Sequence, residues 1–491
     1  MVAWPYVVLP CSNYCSTLQG RTVDYSLRFA IVRKMKPTLV KTKRAFAWLA
    51  WPTAVTFSLV FILFLLLSLQ RLDPDFGWHL VSGEYFARHG IPATDIFTYT
   101  AADFPWINHE WLSDIIVSWL YSWGGYGLLA VLFAGMWTLA FFITGRRVYG
   151  PVVLLGVIAV MPFTGVRAVT WTVLGVAILY ALVTARNRRL WAFIPFLFLA
   201  WANLHGGVVI GLVLVAYWAI AKRSIALGLL LALSATVTLI NPYGIELYVE
   251  IFRTTLDSSL RWVIAEWIPI GDIWQTVCYV AIWSAGFLLL YGKKWRHYFQ
   301  IDVLVFLAAL SSIRHYPLFV VLSLPFTGQY VAELVRKIPA KLQLAQLRVL
   351  LMVSGVIILI SGWGIYDMYS LSFDKESTYP RAAVSYLQKH PCDGNLFNDY
   401  SSGGYLIWKL PDQKVYIDGR MPSWEHNDRK YMTDYLRVFE DDNFRKEQFE
   451  THTINCALIR DTDKHPSLVD HLRSDGWREV SNDGRFVLLE R

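Results

Sequence analysis

The sequence predicts a polytopic α-helical membrane protein that ends in an α/β domain outside the membrane. Hydrophobic residues make up 55% of the 491 residues and charged residues only 17%, and several apolar runs approach the ~20 residues that cross a bilayer core. Residues 371–491 contain 17 Lys or Arg and 21 Asp or Glu, against 28 and 16 in the rest of the chain. A basic excess in the apolar part indicates membrane orientation, so no nucleic-acid partner is expected.

Eleven apolar intervals predict eleven crossings of the cell's inner (cytoplasmic) membrane. Basic clusters at residues 33–44, 146–147, 186–189, 222–223, 293–297 and 336–348 each follow an even number of intervals, as the positive-inside rule requires of cytoplasmic loops. The N-terminal segment 1–45, expected to be disordered, is therefore cytoplasmic, and everything after residue 369 is exterior. The intervals are 46–69, 124–145, 150–163, 168–185, 190–204, 207–221, 225–240, 273–291, 301–313, 316–333 and 349–368.

With this topology the polar insertions all fall on the exterior face. They are the first exterior loop (70–123), residues 203–207, 241–271 and 314–315, and the C-terminal domain. Within the first loop, 78–89 and 110–121 have the pattern of amphipathic helices at the membrane interface, and 94–100 that of extended chain. Because acids and histidines collect on one side, we expect an active site on the exterior face.

The C-terminal domain, residues 371–491, is long enough to fold by itself. Its pattern predicts helices at 378–390, 429–439, 444–450 and from Pro466, strands at 395–400, 404–409, 414–418 and 456–460, and a terminal hairpin that turns at Asn482-Asp483-Gly484. The five cysteines show no metal-binding spacing. Cys392 and Cys456 can pair if this domain faces an oxidising space.

Several short motifs, in order and spacing, resemble a group of bacterial membrane proteins in the GT-C glycosyltransferase superfamily. The similarity extends over nearly the whole chain from about residue 46. The motifs are Asp73-Pro74-Asp75-Phe76-Gly77-Trp78-His79, Gly90-Ile91-Pro92, Trp106-x-Asn108-x-Glu110-Trp111, Trp201-x-Asn203-Leu204-His205-Gly206-Gly207, Asn241-Pro242, Glu266-Trp267, Arg314 and Ile417-Asp418-Gly419-Arg420.

The resemblance implies a GT-C-like fold and transfer of a sugar from a polyprenyl-phosphate or polyprenyl-diphosphate donor. The acceptor would be a glycan, lipid or protein on the exterior face of the cell envelope, and the anomeric carbon would be inverted. An acidic residue of the first exterior loop is the usual general base in such enzymes, often near a divalent metal such as Mg²⁺ or Mn²⁺. The Asp73-Pro74-Asp75 pattern departs from the acidic pairs of better-known members. It therefore leaves open which of the two aspartates is the base.

Asp75 is the first candidate for the base, with Asp73 as its partner or as a metal ligand. Carboxylates directly after a membrane helix are expensive unless they serve a function, and Pro74 fixes their relative direction. The alternative is a turn in which aspartate caps a helix. His79, four residues after Asp75, would lie on the same helical face and bind metal or orient the acid; otherwise it is a hydrogen-bonded structural residue.

Positive and polar groups at other exterior boundaries are candidates for binding the phosphate or the substrate. His205 and Asn203 precede two glycines that permit close backbone approach, although a helix-end packing motif has the same pattern. Arg314 and His315 lie where the positive-inside rule disfavours charge. Arg167 and Arg261 are weaker candidates of the same kind, because either can simply reach lipid headgroups. Glu266 and Glu110 can each add a second acid to the site or only anchor a loop at the interface.

Other function classes remain as alternatives. No phosphate-binding loop, dinucleotide fingerprint, zinc motif or nucleophile elbow occurs in the sequence, which argues against ATP-driven transport and nucleotide-sugar chemistry. The second interpretation is a polyprenyl-linked glycan transporter or a ligase-like envelope assembly protein, whose acidic loop binds cargo. A non-catalytic envelope scaffold is the third.

Overall fold

The computed structural model describes residues 53–70, 72–257, 274–291, 298–336, 379–460 and 466–491, with Ile264 and Trp267. The protein is mostly helical, with a small sheet near the C-terminus. The helices before residue 337 are α1 (Thr53–Gln70), α2 (Phe76–His89), α3 (Trp111–Gly145), α4 (Gly150–Val160), α5 (Val169–Thr184), α6 (Ile194–Leu204), α7 (Val208–Ala221), α8 (Ile225–Val237), α9 (Glu246–Leu256), α10 (Trp274–Tyr291), α11 (Ile301–Ser311) and α12 (Tyr316–Arg336). Short 3-10 helices occupy Met161–Phe163, Arg188–Phe193 and Ile313–His315.

Ten of the eleven apolar intervals coincide with one of these helices or with part of one. The eleventh interval, 349–368, and the N-terminal segment 1–45 lie outside the described residues. In the described part of the chain, α1 and α3 are long and apolar enough to cross a membrane, and several other apolar helices are shorter. The helices themselves are thus confirmed. The number of crossings and their orientation stay predictions.

Helix α3 consists of two arms. Gly125 interrupts its 35 residues with non-helical angles (φ 61°, ψ −162°), a conformation that glycine adopts most easily. The first arm matches the predicted interfacial helix 110–121, and the second matches the interval 124–145. Trp119 and Trp123 on the first arm are exposed and pack ring against ring at 4.8 Å, as expected of a helix at a membrane interface.

One apolar core joins the helices before residue 337 other than α2. Trp137 of α3 and Trp201 of α6 are among its largest fully buried side chains. Phe64 of α1 packs on Trp137 at 5.5 Å between ring centroids. Dense aromatic packing of this kind fixes the relative positions of helices, and so it holds the ends of α3, α5 and α6 in place.

The C-terminal part is a four-stranded sheet with helices. Its strands lie in the order β1 (Asn395–Asn398), β4 (Ile454–Arg460), β6 (Phe486–Glu490) and β5 (Arg478–Asn482). Strands β1 and β4 are parallel, and the other neighbouring pairs are antiparallel. Cys392 and Cys456 form a disulfide. The elements are α13 (Arg381–Lys389), β1 (Asn395–Asn398), a 3-10 helix (Tyr400–Ser402), α14 (Gly403–Lys409), β2 (Glu425–His426), β3 (Arg429–Lys430), α15 (Tyr431–Glu440), α16 (Asp442–Thr451), β4 (Ile454–Arg460), α17 (Pro466–Ser474), β5 (Arg478–Asn482) and β6 (Phe486–Glu490).

Two strand predictions in this domain are wrong. Residues 404–409 form helix α14, because Gly404 packs directly on Gly77 of α2: a Cβ on Gly77 would lie 1.9 Å from the Gly404 carbonyl oxygen. That backbone-to-backbone contact outweighs the strand preference of the aromatic and branched residues that follow. Residues 414–418 contribute only isolated bridges, in which Val415 pairs with Thr98 and Leu396.

The first loop and the C-terminal domain share one hydrophobic core. Phe86, Phe104 and Trp106 of the loop are buried with Ile417 and Trp424 of the domain. The loop also bonds to the domain through its backbone, since the Tyr99 amide donates to the Val415 carbonyl. The predicted boundary at residue 371 stays a prediction, but the packing makes the loop and the domain parts of one structural unit.

Candidate functional site

Asp73 and Asp75 lie in the turn that leads into α2, and the Asp75 side chain makes no capping hydrogen bond to the helix. One oxygen of Asp73 accepts from the Asp75 amide at 2.9 Å, and the other pairs with Nε of Arg167 at 2.5 Å. Arg167 is therefore the ion-pair partner of Asp73 rather than only a lipid-facing arginine. The turn is held by charge as well as by its backbone.

Asp75 lies against the C-terminal domain. A Cβ on Gly419 would come within 1.8 Å of its Oδ1, and a Cβ on Gly404 would meet the Pro74 carbonyl oxygen at 2.4 Å. Two glycines of the domain therefore allow it to close on this turn, because any larger side chain would displace the Asp75 carboxylate.

His79 forms a buried pair with Asp114 of α3. Its Nδ1 lies 2.6 Å from Asp114 Oδ1, while Asn108 donates to Asp114 Oδ2 at 2.7 Å. The contact depends on Gly83, one helical turn after His79, where a Cβ would lie 2.0 Å from the Asp114 carbonyl oxygen. Glycine at this position lets α2 approach α3 closely enough for the two side chains to meet.

Three histidines surround the carboxylate of Glu110. The Nε2 atom of His205 lies 3.2 Å and that of His109 lies 3.6 Å from Glu110 Oε1, and the Nε2 atom of His79 lies 3.5 Å from Oε2. The Glu110 side chain is 9% exposed and that of His109 34%. We call His79, His109, Glu110, Asp114 and His205 the histidine–carboxylate cluster.

The hydrogen bonds of His205 define its tautomer. Its Nδ1 accepts from the Gly207 amide at 2.9 Å and lies 2.8 Å from the Thr172 hydroxyl. In a neutral imidazole that accepts at Nδ1, the proton is on Nε2, so His205 donates towards Glu110.

The two glycines after His205 make room for protein groups. A Cβ on Gly206 would meet the His109 ring at 2.9 Å, and one on Gly207 would meet the Thr172 hydroxyl oxygen at 2.1 Å. The close backbone approach expected here is real, but the approaching groups belong to the protein itself.

Burial and neighbouring charges set the protonation of the cluster. Burial opposes the charged form of His79, yet Asp114, with Glu110 and Asp75 behind it, raises the pKa of His79 to about 9. Burial raises the pKa of Glu110 to about 7, against the attraction of His79. Burial and the nearby Arg314 lower the pKa of His109 to about 4. A carboxyl group that titrates near neutral pH, beside a charged histidine, is typical of a functional site.

The histidine of the His205 motif behaves like His109. Burial, with the charge of Arg314, lowers the pKa of His205 well below its usual range. Near pH 7 the cluster therefore holds one cationic imidazole and two neutral ones.

Of the other predicted residues, Asn203 makes structural contacts and Arg314 lies near the cluster. Asn203 uses its amide to join helices: it accepts from Trp111 Nε1 at 3.1 Å and donates to the carbonyls of Leu199 and Ile240. These contacts are structural, and they do not support the predicted role of Asn203 in substrate binding. Arg314 lies over the Trp267 ring at 5.5 Å, close enough to influence the cluster.

His315 follows Arg314 in the 3-10 helix Ile313–His315. Its Nδ1 is buried without a hydrogen-bond partner among the described residues, and burial, together with Arg314, lowers its pKa. Glu266 and Arg261 lie outside the described residues.

Asp73 and His79 do not fit the predicted divalent-metal site. The carboxylate of Asp73 is held by the Asp75 amide and by Arg167, whereas both ring nitrogens of His79 face Asp114 and Glu110. In the part of the chain that the structure describes, no group of three or more His, Cys, Asp or Glu side chains is arranged to hold a metal ion. The need for Mg²⁺ or Mn²⁺ stays a prediction of the resemblance.

The Asp418-Gly419-Arg420 segment is a salt-bridged turn. Arg420 Nη2 and Nη1 lie 2.7 Å from carboxylate oxygens of Asp418 and Asp95, respectively, and its side chain is 3% exposed. Its guanidinium also lies 4.5 Å from the Trp106 ring centroid. We call Asp95, Asp418 and Arg420 the arginine lock; it fastens the first loop to the C-terminal domain.

Three residues of the cluster had no role in the sequence prediction or only a minor one. Asp114 and His109 carry no motif of their own, and the sequence allows Glu110 either as a second acid of the site or only as a loop anchor. A signal was available in the helical spacing, since Glu110 and Asp114 are four residues apart and flank the start of α3. Their approach to His79 and His205 depends on long-range packing that one sequence does not show.

Comparison with known proteins adds no assignment. No protein-family model matches the chain, and no curated protein matches it significantly.

Proposed function

We propose that this protein is an integral-membrane glycosyltransferase that moves a sugar from a polyprenyl-phosphate or polyprenyl-diphosphate donor to an acceptor on the exterior membrane face. The observation that carries the proposal is the histidine–carboxylate cluster. Four separate segments meet there: α2, the start of α3, the turn after α6 and, through its charge, the 3-10 helix of Arg314.

The chemistry of the cluster suits glycosyl transfer. Such a reaction needs a carboxylate to take the acceptor's proton and positive groups to stabilise the departing phosphate. Glu110 and the Asp73–Asp75 turn supply carboxylates, and His79 and Arg314 supply positive charge. All of these residues belong to segments that the positive-inside rule assigns to the exterior side.

Two further observations support the membrane and exterior parts of the proposal. The apolar helices fall in the intervals predicted to cross the bilayer, and α1 and α3 have sufficient length. The Cys392–Cys456 disulfide is typical of domains outside the cytoplasm. A GT-C-like arrangement of about eleven crossings with an exterior C-terminal domain accommodates both.

The proposal is tested with the full-length protein in liposomes and a panel of radiolabelled polyprenyl-phosphate and polyprenyl-diphosphate sugars. We expect transfer of label to a glycan, lipid or peptide acceptor by the wild-type protein, and weaker transfer by Asp73→Asn, which loses its ion pair with Arg167. Glu84→Gln is the matched control, because Glu84 is an exposed acid on α2, the helix that follows Asp73, and it pairs with Arg88 on the surface. Donor that crosses the bilayer with its sugar still attached would refute transferase activity and identify a transporter.

A further inference from the structure

Helix α9 carries an exposed apolar surface that the proposed reaction does not use. We infer that α9 lies along the exterior membrane interface, with this surface inserted among the lipids of the exterior leaflet. The partner is thus the bilayer itself, at the boundary between headgroups and acyl chains. The inference goes beyond the proposed function, because it requires only that the protein sits in a membrane.

The apolar surface of α9 is a narrow stripe. Its residues follow one another at intervals of four, three and four positions, so they fall within about 60° around a helix that turns about 100° per residue. Their exposed fractions run from 47% to 75%, and they are Ile245, Val249, Phe252 and Leu256. Apolar side chains that are exposed singly are common on protein surfaces, but a contiguous row of four indicates contact with an apolar partner.

The opposite face of α9 is occupied by protein. Glu250 is buried there and pairs with Arg253, and the Thr254 hydroxyl lies 3.1 Å from the Ser423 hydroxyl of the C-terminal domain. The Arg253 guanidinium also lies 5.2 Å from the centroid of the Phe104 ring in the first loop. These contacts fix the rotation of α9 about its axis, so its apolar stripe points away from the protein.

The stripe continues an apolar surface of the preceding helix. The interval 225–240, which contains α8, is predicted to cross the membrane, and its exterior end leads into α9. The turn between them is held by Asn241, which donates to the Thr238 carbonyl at 2.7 Å and accepts from the Tyr243 amide at 2.8 Å. Exposed apolar side chains follow one side of this interval: Ile225, Leu229, Leu233 and Ile240. Since lipid covers the exposed apolar side of a crossing helix, the same lipid surface extends to α9.

The polar neighbours of the stripe favour a helix in the plane of the interface. Glu246 and Thr255 are exposed on opposite sides of the stripe. The helix has 11 residues, which makes it about 16 Å long, too short to cross a core of ~30 Å. An amphipathic helix of this kind inserts its apolar side about 5–10 Å into the boundary between headgroups and acyl chains. Through its other face, α9 then holds the first loop and the C-terminal domain at a set height above the membrane.

Spin labels test the position of α9 in proteoliposomes that contain the full-length protein. Cys11, Cys15 and Cys278 are first replaced by alanine, and the Cys392–Cys456 disulfide is kept, so that a label reacts only with one introduced cysteine. Electron paramagnetic resonance with power saturation then compares two collision rates of the label. One is with O₂, which concentrates in lipid, and the other is with a water-soluble nickel chelate.

Phe252→Cys places the label on the stripe. Leu436→Cys is the matched control, because Leu436 is an exposed apolar residue on α15 of the C-terminal domain. We expect the ratio of O₂ to nickel collisions at position 252 to rise to the value of a label about 5–10 Å below the headgroups, and the ratio at position 436 to be that of a label in water. Unchanged thermal unfolding midpoints show that the labelled proteins are folded, and Val249→Cys replaces Phe252→Cys if the latter does not fold.

Each outcome decides the inference without a measurement of sugar transfer. A label on the stripe that meets the nickel chelate as often as the label at position 436 lies in water, and the inference is then refuted. Few collisions with either reagent would show that protein covers the stripe, as in a contact with a second copy of the chain, and would refute lipid contact as well. Sugar transfer that fails while the stripe label lies in lipid would refute the proposed function and leave this inference intact.

Discussion

The substitution Arg420→Ala tests whether the arginine lock holds the C-terminal domain on the first loop. Arg420 is 3% exposed, and the carboxylates of Asp95 and Asp418 beside it are fully buried. Removal of the arginine leaves two like charges in a dry site. Breaking a buried ion pair by removing one partner costs about 3–5 kcal/mol, and the lost contact with the Trp106 ring adds to this.

Thermal unfolding of the full-length protein in detergent or nanodiscs measures the effect. The loop and the C-terminal domain together contain roughly 175 residues, a size for which 1 kcal/mol corresponds to about 2–4 °C. We therefore expect the midpoint for this unit to fall by about 6–20 °C. Arg420→Lys should recover only part of the loss, because lysine keeps the charge but not the forked geometry that reaches two carboxylates.

Arg437→Ala is the matched control, since Arg437 pairs with Asp441 on the surface at 2.8 Å and is 54% exposed. Exposed pairs contribute about 0–1 kcal/mol. Equal midpoints for Arg420→Ala and Arg437→Ala would refute the arginine lock as a stabilising contact. Adding Asp95→Asn to Arg420→Ala should recover part of the drop, because it removes one of the two unpaired carboxylates. A drop in the double variant equal to the sum of the two single drops would also contradict the lock, because residues that share one network should not be additive.

Two further predictions concern the surroundings of the cluster. Gly419→Ala places a Cβ 1.8 Å from Asp75 Oδ1, so it should destabilise the protein by about 1–3 kcal/mol. The control is Gly135→Ala, which should not destabilise the protein, because a Cβ there meets nothing within 4 Å. Equal unfolding midpoints for the two variants would contradict the contact between Gly419 and Asp75. His79, whose folded pKa of about 9 exceeds its usual 6.5, stabilises fully below pH 6.5, and this contribution is lost as pH rises through about 9. The unfolding midpoint should therefore decline between pH 6.5 and 9 in the wild type and in His89→Asn, which changes an exposed histidine and serves as the control. In His79→Asn the midpoint should decline less. Identical slopes in all three proteins would refute the raised pKa of His79.

The sequence by itself determined the helices and most of the C-terminal elements. Apolar runs of suitable length predict α1 and the second arm of α3, and Gly125 separates that arm from the interfacial one. Strand β4 and the terminal hairpin also follow from local patterns. These features depend on composition, period and turn residues, which lie close together in the chain.

Tertiary structure alone decided the site. Residues 404–409 are helical because Gly404 meets Gly77, and their local strand preference gives no hint of that contact. The carboxylate that the sequence favours, Asp75, lies against the backbone of Gly419. Glu110 is enclosed by histidines from positions 79, 109 and 205. Burial and long-range charge set the basicity of a carboxylate, and neither can be read from the residues next to it in the chain.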